Sequence, residues 1–398
     1  MINYNNLRLI FFVLCVLLIL EKSQKSKHPI NLILDHHMDS SPVDLFKVWH
    51  FLHQREYDIL SLEGLKRYEN FKKNLEIIRN HNKNRNGKNS YSLGINNFAD
   101  MALEEFHDKY LKGNQMIFKS VKEKYYDDKS KFKHLDFWEL PEELEDEYLE
   151  LFLGDKDKVG KIEKVVKNNK YNTILRSKFN GFRSLDWIEK ANLNSYVENQ
   201  GECGSCWAFA TAQAIEAAFY LKYGKTIHLS KQQLVDCEKN SKGCSGGMLH
   251  TAMDYIKENG IESENEYPYN MIENKYCKYS SEKVITKLDS YELCAEDDCS
   301  TDENLYSALE KGPVAAAVDG SEHFMLYMGG IFDKPCEELN HAILLVGYHK
   351  KENESDDSYW IVKNSWGEKW GENGFIKIKH SKNYNNCLMN TYFVKPNL

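Results

Sequence analysis

The sequence predicts an α+β protein with two lobes in its C-terminal half and a smaller helical unit ahead of them. Three observations carry this. At 398 residues the chain is too long for one ordinary core, so two or more separately packed units are expected. Helical periodicity dominates the stretches around 44–78 and 207–223, whereas strand-like runs separated by loops dominate from Pro313 onwards. Helices first and strands later suit an α+β architecture rather than alternating βαβ units.

The elements follow in order. Met1 to Arg8 is polar with one positive charge, and Leu9 to Leu20 is unbroken apolar before Glu21 and Lys22, which reads as a signal peptide over 1–20. Twelve apolar residues reach about 18 Å as a helix, short of the roughly 30 Å hydrocarbon core, so stable membrane association is not expected. No small-residue cleavage site follows, which leaves an uncleaved anchor as the alternative. From Asp44 to Ile78, the residues Leu45, Val48, Trp49 and Leu52, then Leu60, Tyr68, Phe71, Leu75 and Ile78, recur at helical spacing and predict two amphipathic helices. Within the second, Glu63, Arg67, Phe71, Asn74, Ile78 and Asn82 step along at three- and four-residue intervals, and Gly94-Ile95-Asn96-Asn97-Phe98-Ala99-Asp100 comes soon after. An ordinary amphipathic helix explains the stepped set about as well.

Residues 114–181 are charge-dense, acidic around Glu139 to Glu150 and lysine-rich from Lys156 to Lys170, and read as linker. Beyond them Trp207 to Tyr223 predicts a strong helix, with Trp207, Ala210, Ala214, Ile215, Ala218 and Leu221 on one face and Gly224 as its stop. Strands are predicted at Val314–Val318, Ala342–Gly347, Tyr359–Lys363 and Gly374–Ile378.

The formal charge of −8 divides unevenly, about −11 on residues 182–398 and about +3 before them. A basic segment held against an acidic body is implied, with release in acid, and the acidic body argues against a nucleic-acid partner. Of ten cysteines, Cys15 sits in the apolar N-terminal run and nine fall between Cys203 and Cys387. Four disulfides from nine leave one thiol over, the pattern of an oxidising compartment and one reactive cysteine.

Gln200-Gly201-Glu202-Cys203-Gly204-Ser205-Cys206-Trp207 puts a cysteine at the first turn of the strong helix. The amides and partial positive charge of a helix start favour thiolate over thiol, which makes such a cysteine a nucleophile. Taken alone, Cys203 and Cys206 also fit a redox pair or half of a zinc site. Two further motifs shift the reading: Leu339-Asn340-His341-Ala342-Ile343 opens an apolar strand, and Lys363-Asn364-Ser365-Trp366-Gly367 closes another. His341 lies 135 positions beyond Cys206 and Asn364 lies 158 beyond it.

These motifs resemble the papain/cathepsin family of cysteine peptidases over nearly all of 182–398. The resemblance implies a papain-like two-lobed α+β fold, a helical lobe beside a β-barrel-like lobe, and a monomeric endopeptidase that needs no cofactor or metal. It implies Cys206 as nucleophile, His341 as acid and base, Asn364 as holder of the imidazole, Trp366 as its shield and Gln200 as a donor to the oxyanion. Disulfides Cys203–Cys244, Cys237–Cys277 and Cys336–Cys387 are implied, and Cys294 with Cys299 is expected to form a small extra bridge. Gly246 and Gly247 would bind an extended polypeptide substrate through backbone groups, with Asn340 beside the site. Met248, Leu249, Ala317, Leu339 and Tyr392 would line an apolar pocket for the second residue before the cut. The stepped helix and the Gly94–Asp100 motif look like a cathepsin L-type inhibitory propeptide over 21–113. Protein inhibitors of the cleft are further implied partners, and the route is the secretory pathway to an acidic organelle or the exterior. The rival is a catalytically silent binding protein on the same fold.

Overall fold

Ser41 and Ser61 begin the two long helices of the N-terminal unit, each because its hydroxyl takes up an amide that the first helical turn leaves without a partner. In the computed structural model, Ser41 Oγ accepts from Asp44 N at 3.2 Å ahead of α1 (Pro42–Leu52). Ser61 Oγ accepts from Gly64 N at 3.1 Å ahead of α2 (Leu62–Lys83). The structure describes residues 30, 34, 38–85, 90–111, 182–193, 196–295, 299–336, 338–351, 358–380, 387 and 389–398. The expected signal peptide over 1–20 and linker over 114–181 lie outside them.

α1 and α2 cross through Phe46, Trp49, Tyr68, Phe71, Leu75 and Ile78, all buried. Leu60, expected in the second helix, lies before its cap and is 43% exposed. The stepped residues do more than an ordinary amphipathic face would. Asn74 Nδ2 donates to the carbonyls of Ala99 at 2.9 Å and Met101 at 2.8 Å, and Asn82 exchanges two hydrogen bonds with the Leu93 backbone. Arg67 reaches both Glu63 and Glu105. One face of α2 is thus a template for the segment that contains β1 (Ser92–Leu93), α3 (Leu103–Phe106) and a π-helical turn at His107–Leu111.

The body continues with β2 (Phe182–Asp186), α4 (Cys206–Tyr223), α5 (Lys231–Cys237), α6 (Leu249–Asn259), β3 (Ile261–Glu262), β4 (Val284–Thr286) and β5 (Ser290–Cys294). Then come α7 (Asp302–Glu310), β6 (Val314–Val318), α8 (Glu322–Met325), β7 (Tyr327–Gly329), β8 (Ile331–Phe332), β9 (His341–Lys351), β10 (Tyr359–Lys363), β11 (Phe375–Lys379) and β12 (Phe393–Asn397). The eight-stranded sheet has the order β5-β12-β6-β9-β10-β11-β8, with β2 also paired to β9. β9 outruns the predicted Ala342–Gly347 because three neighbours satisfy its backbone: β6 along its start, β10 along its middle and β2 along its end. Gly374, predicted to open β11, instead makes the preceding turn, donating to Trp370 O at 2.7 Å.

α4 departs from its predicted single apolar face. Every residue from Cys206 to Ile215 is buried, whereas Leu221 is 38% exposed. The helix starts between the helical lobe and the sheet and emerges only in its last turns, where Gly224 at φ 65° ends it with N–H to Tyr220 O at 2.8 Å. The N-terminal unit joins the body by pairing β1 with β7 and by Gly94 N to Leu326 O at 2.9 Å.

Asn74→Ala leaves two buried carbonyls without their donor, so the precursor is expected to lose about 1–3 kcal/mol of stability. Urea unfolding of full-length protein measures this, and an unchanged midpoint would contradict the template role of α2.

Candidate active site

The loop before α4 is stapled by a disulfide at Cys203. The sulfurs pair as Cys203–Cys244, Cys237–Cys277, Cys294–Cys299 and Cys336–Cys387, and Cys206 takes part in no disulfide. Because Cys203 is bonded to Cys244, the redox-pair and zinc readings of Cys203 with Cys206 fall. Cys206 is the first residue of α4 and fully buried, in the same apolar cluster as Ala342, which follows His341. Its thiol therefore sits at the positive end of a helix inside the lobe interface. Ser205 Oγ meets Tyr269 Oη at 2.6 Å, and Tyr269 Oη donates to the Gln200 carbonyl at 2.7 Å, so the turn is braced from behind.

His341 opens β9 opposite Val318, and its Nε2 lies 2.7 Å from Asn364 Oδ1. Ser365 N donates to the same Oδ1 at 2.8 Å, which fixes the Asn364 amide and makes Oδ1 the acceptor. The proton on neutral His341 is consequently on Nε2, and Nδ1 carries the lone pair. Nδ1 is buried with no hydrogen-bond partner among the described residues. The Trp366 ring lies over the imidazole at 4.5 Å between centroids and is 1% exposed. Burial pushes the His341 imidazole down to about 4, against the upward pull of Asn364.

Gln200 is held with equal definition. Its Oε1 accepts from Ser365 Oγ at 2.8 Å and from Trp366 Nε1 at 3.1 Å, so Nε2 must face the other way. There it donates to Cys203 O at 2.9 Å and to the Tyr110 carbonyl at 3.2 Å. Tyr110 belongs to the N-terminal unit, whose Phe98, Phe106 and Tyr110 meet Trp366 edge-on at 5.4, 5.1 and 6.4 Å. Lys109 pairs with Glu202 at 3.0 Å beside them.

The expected pocket residues Leu249, Ala317, Leu339 and Tyr392 share one buried cluster, with Met248 packed against it. Gly247 must be glycine, since a Cβ there would lie 2.5 Å from the Trp207 ring. The Gly246 carbonyl accepts from Lys242 N at 2.7 Å. Asn340, directly before His341, has a fully buried side chain that accepts from Gly320 N at 2.8 Å and donates to Ser321 Oγ at 3.2 Å. It braces the 319–321 loop, because a buried amide must satisfy both its ends.

Comparison with known proteins assigns the family. The description "Papain family cysteine protease" matches residues 182–397, and "Cathepsin propeptide inhibitor domain" matches residues 46–106. The chain belongs to the papain family of cysteine proteases. It is 32% identical to human cathepsin L2 over 360 residues, covering 88% of this chain and 91% of that one. Cysteine proteinase 3 of Dictyostelium discoideum is 33% identical over 341 residues, covering 84% and 85% of the two chains. Among solved structures, digestive procathepsin L 3 of Tenebrio molitor larval midgut aligns with TM-score 0.65 and 29% identity, covering 90% of this chain and all (100%) of that one. The recombinant stem bromelain precursor aligns with TM-score 0.66 and 28% identity, covering 90% and 99%. The protein is thus a papain-like cysteine endopeptidase precursor with its propeptide domain docked on the body.

Several residues of the protease escaped sequence reasoning. His250 Nδ1 lies 2.9 Å from Tyr392 Oη, placing a polar pair at the edge of the apolar cluster. Its position directly after Met248 and Leu249 was the available signal. Tyr269, Glu198 and Lys231 carried no motif and became visible only through their partners.

Phe98→Ala opens a hole in the aromatic contact with Trp366 and is expected to weaken propeptide docking by about 3–5 kcal/mol. The intact precursor should then be labelled at Cys206 by iodoacetamide many times faster at neutral pH; an unchanged labelling rate would argue against this contact as a latch.

Proposed function

We propose that this precursor yields an endopeptidase in which Cys206, His341, Asn364 and Gln200 act together on an extended polypeptide. Cys206 Sγ, as thiolate, attacks the peptide carbonyl carbon while His341 holds the proton on Nδ1. That proton passes to the leaving amine, giving a thioester. A water molecule, deprotonated by the same imidazole, then cleaves the thioester and restores the thiol. Gln200 Nε2 stabilises the oxyanion in both steps.

The observation that carries this reading is the Tyr110 carbonyl on Gln200 Nε2. A peptide oxygen already rests on the donor assigned to the oxyanion, beside the His341–Asn364 pair. That carbonyl belongs to a π-helical turn, not to an extended strand, so the blocking segment presents an oxygen without the geometry of a substrate. Burial, which holds the His341 imidazole down to about 4, disfavours its charged form in the closed precursor. Apolar preference for the second residue before the cut rests on the clustering of Leu249, Ala317, Leu339 and Tyr392.

Opening at acidic pH has support at the far end of the propeptide contact. His323 Nδ1 lies 2.5 Å from Tyr91 Oη of the propeptide, and the His81 ring meets His323 edge-on at 5.1 Å. Glu322 and Lys334 flank His323, and Arg85 and Asp333 line the same groove. Burial first, then Lys334 and His81, push His323 down to about 4. The closed form therefore binds fewer protons than the open one. Its stabilisation is complete above the ordinary histidine value near 6.5 and is lost as pH falls toward 4, at most on the order of 3 kcal/mol. Asp100 runs the opposite way, since burial raises its carboxyl despite Arg55 and Tyr57. The four disulfides and the apolar 9–20 run favour a secretory route to an acidic organelle or the exterior.

Two measurements test the reading. Gln200→Ala is expected to lower kcat about 10²–10³-fold, and Cys206→Ala to abolish turnover and active-site labelling; normal peptidase activity in either would sink the assignment. His323→Gln keeps an acceptor for Tyr91 but does not titrate, so its precursor should stay closed to lower pH, read as Cys206 labelling between pH 7 and 4. An identical pH midpoint would remove His323 from the mechanism of opening.

A further inference from the structure

Lys231 begins α5 with a fully buried ammonium group, which demands compensation. Nζ lies 2.5 Å from Glu198 Oε1 and 3.0 Å from Glu216 Oε1, and 5.9 Å from the Phe209 ring. Glu198 Oε2 accepts from Gln213 Nε2 at 2.9 Å, and Glu216 Oε1 also takes the Leu229 amide at 2.7 Å. Lys363, buried at the end of β10, faces Glu198 and Glu216 across a small cavity of about 30 Å³. Two lysines and two glutamates thus form a cluster that crosses the lobe boundary, with the Glu264 carboxylate acting on Lys231 and Glu198 from its edge.

The chain connections of this cluster are what distinguish it. Glu216 and Gln213 lie on the helix that starts at Cys206, and Lys363 immediately precedes Asn364. Glu198 is two residues before Gln200, on a short extended segment zipped to 365–367. Gly367 N donates to Glu198 O at 3.0 Å, Asn199 bridges Trp366, and Gln200 N donates to Ser365 O at 2.9 Å. An ion cluster is directional where an apolar contact is not, so it fixes the register of this segment against the helix.

We propose that Lys231, through its pairs with Glu198 and Glu216, is a positioning residue for Gln200, locking the 198–200 segment so that the amide faces the reacting carbonyl. This rests on the reading of Gln200 given above. Lys231 touches no reacting atom, and its influence is transmitted through Glu198 and two peptide units.

The test uses full-length precursor, activated and titrated with an irreversible thiol inhibitor so that kcat is expressed per working site. Glu198→Gln with Lys231→Met retains an oxygen for Gln213 and removes the charges. It is expected to lower kcat about 10-fold or more with KM within about twofold, the signature of a contact felt in the transition state. In a Gln200→Ala background the same pair should cost almost nothing further, because both changes remove one interaction. The exchanged pair Glu198→Lys with Lys231→Glu leaves the cluster's net charge unchanged and should restore kcat to within about threefold, since the ion pair is rebuilt in reverse. Full additivity with Gln200→Ala, or fewer titratable sites at unchanged kcat per site, would overturn the proposal and leave a purely structural cluster. Normal activity of Gln200→Ala alone would overturn the reading of Gln200 and this proposal with it.

Discussion

A helix that is buried on every side through its first three turns has to present its open amides to something other than water. α4 does so at Cys206, where the helix start meets the boundary between the helical lobe and the sheet. Most of the site follows from that constraint. The sheet brings His341 and Asn364 to the same boundary because β9 starts and β10 ends there, and both strands are held by backbone pairing over their full length. Trp366 then covers the edge that remains, touching His341 with its ring and Gln200 with its indole N–H. A single buried tryptophan couples the imidazole to the amide that accompanies it.

The propeptide uses the same tryptophan as its anchor. Phe98, Phe106 and Tyr110 close on Trp366 from outside, Asn96 Nδ2 donates to Met325 O at 2.8 Å, and β1 adds itself to β7. Charge complementarity between the halves is the expectation from composition, yet the described contact is mainly aromatic and backbone in character, with Lys109–Glu202 as an ion pair at its rim. Exposed pairs of this kind contribute little. The partly buried His323 beside Tyr91 is the group in this contact whose imidazole is held down, mainly by burial.

Buried polar groups recur beneath the site and share one logic. Asn340 braces the 319–321 loop, Tyr269 braces the turn before Cys206, and the Lys231 cluster braces the segment before Gln200. Each satisfies its own hydrogen bonds while restricting a backbone segment near the candidate site. Apolar packing alone would hold the lobes together but would tolerate small slips of register.

Local pattern alone determined the helix that starts beside Cys206 and stops at Gly224, the bounds of β6 and β10, and the excess of one thiol over four pairs. These depend on backbone periodicity, capping and covalent parity, which act within a few residues or by simple count. Leu60 and Leu221 depart from the expected helix faces because capping and emergence from the lobe interface decide their surroundings. Which way the Gln200 amide points, where the proton sits on His341, why Lys231 lies in the dry interior and that His323 faces Tyr91 were decided only by tertiary structure. The partners responsible lie from 15 to 232 positions away in the chain, as with Glu216 for Lys231 and Tyr91 for His323. Side-chain orientation and charge burial answer to those distant neighbours, and no local spacing encodes them.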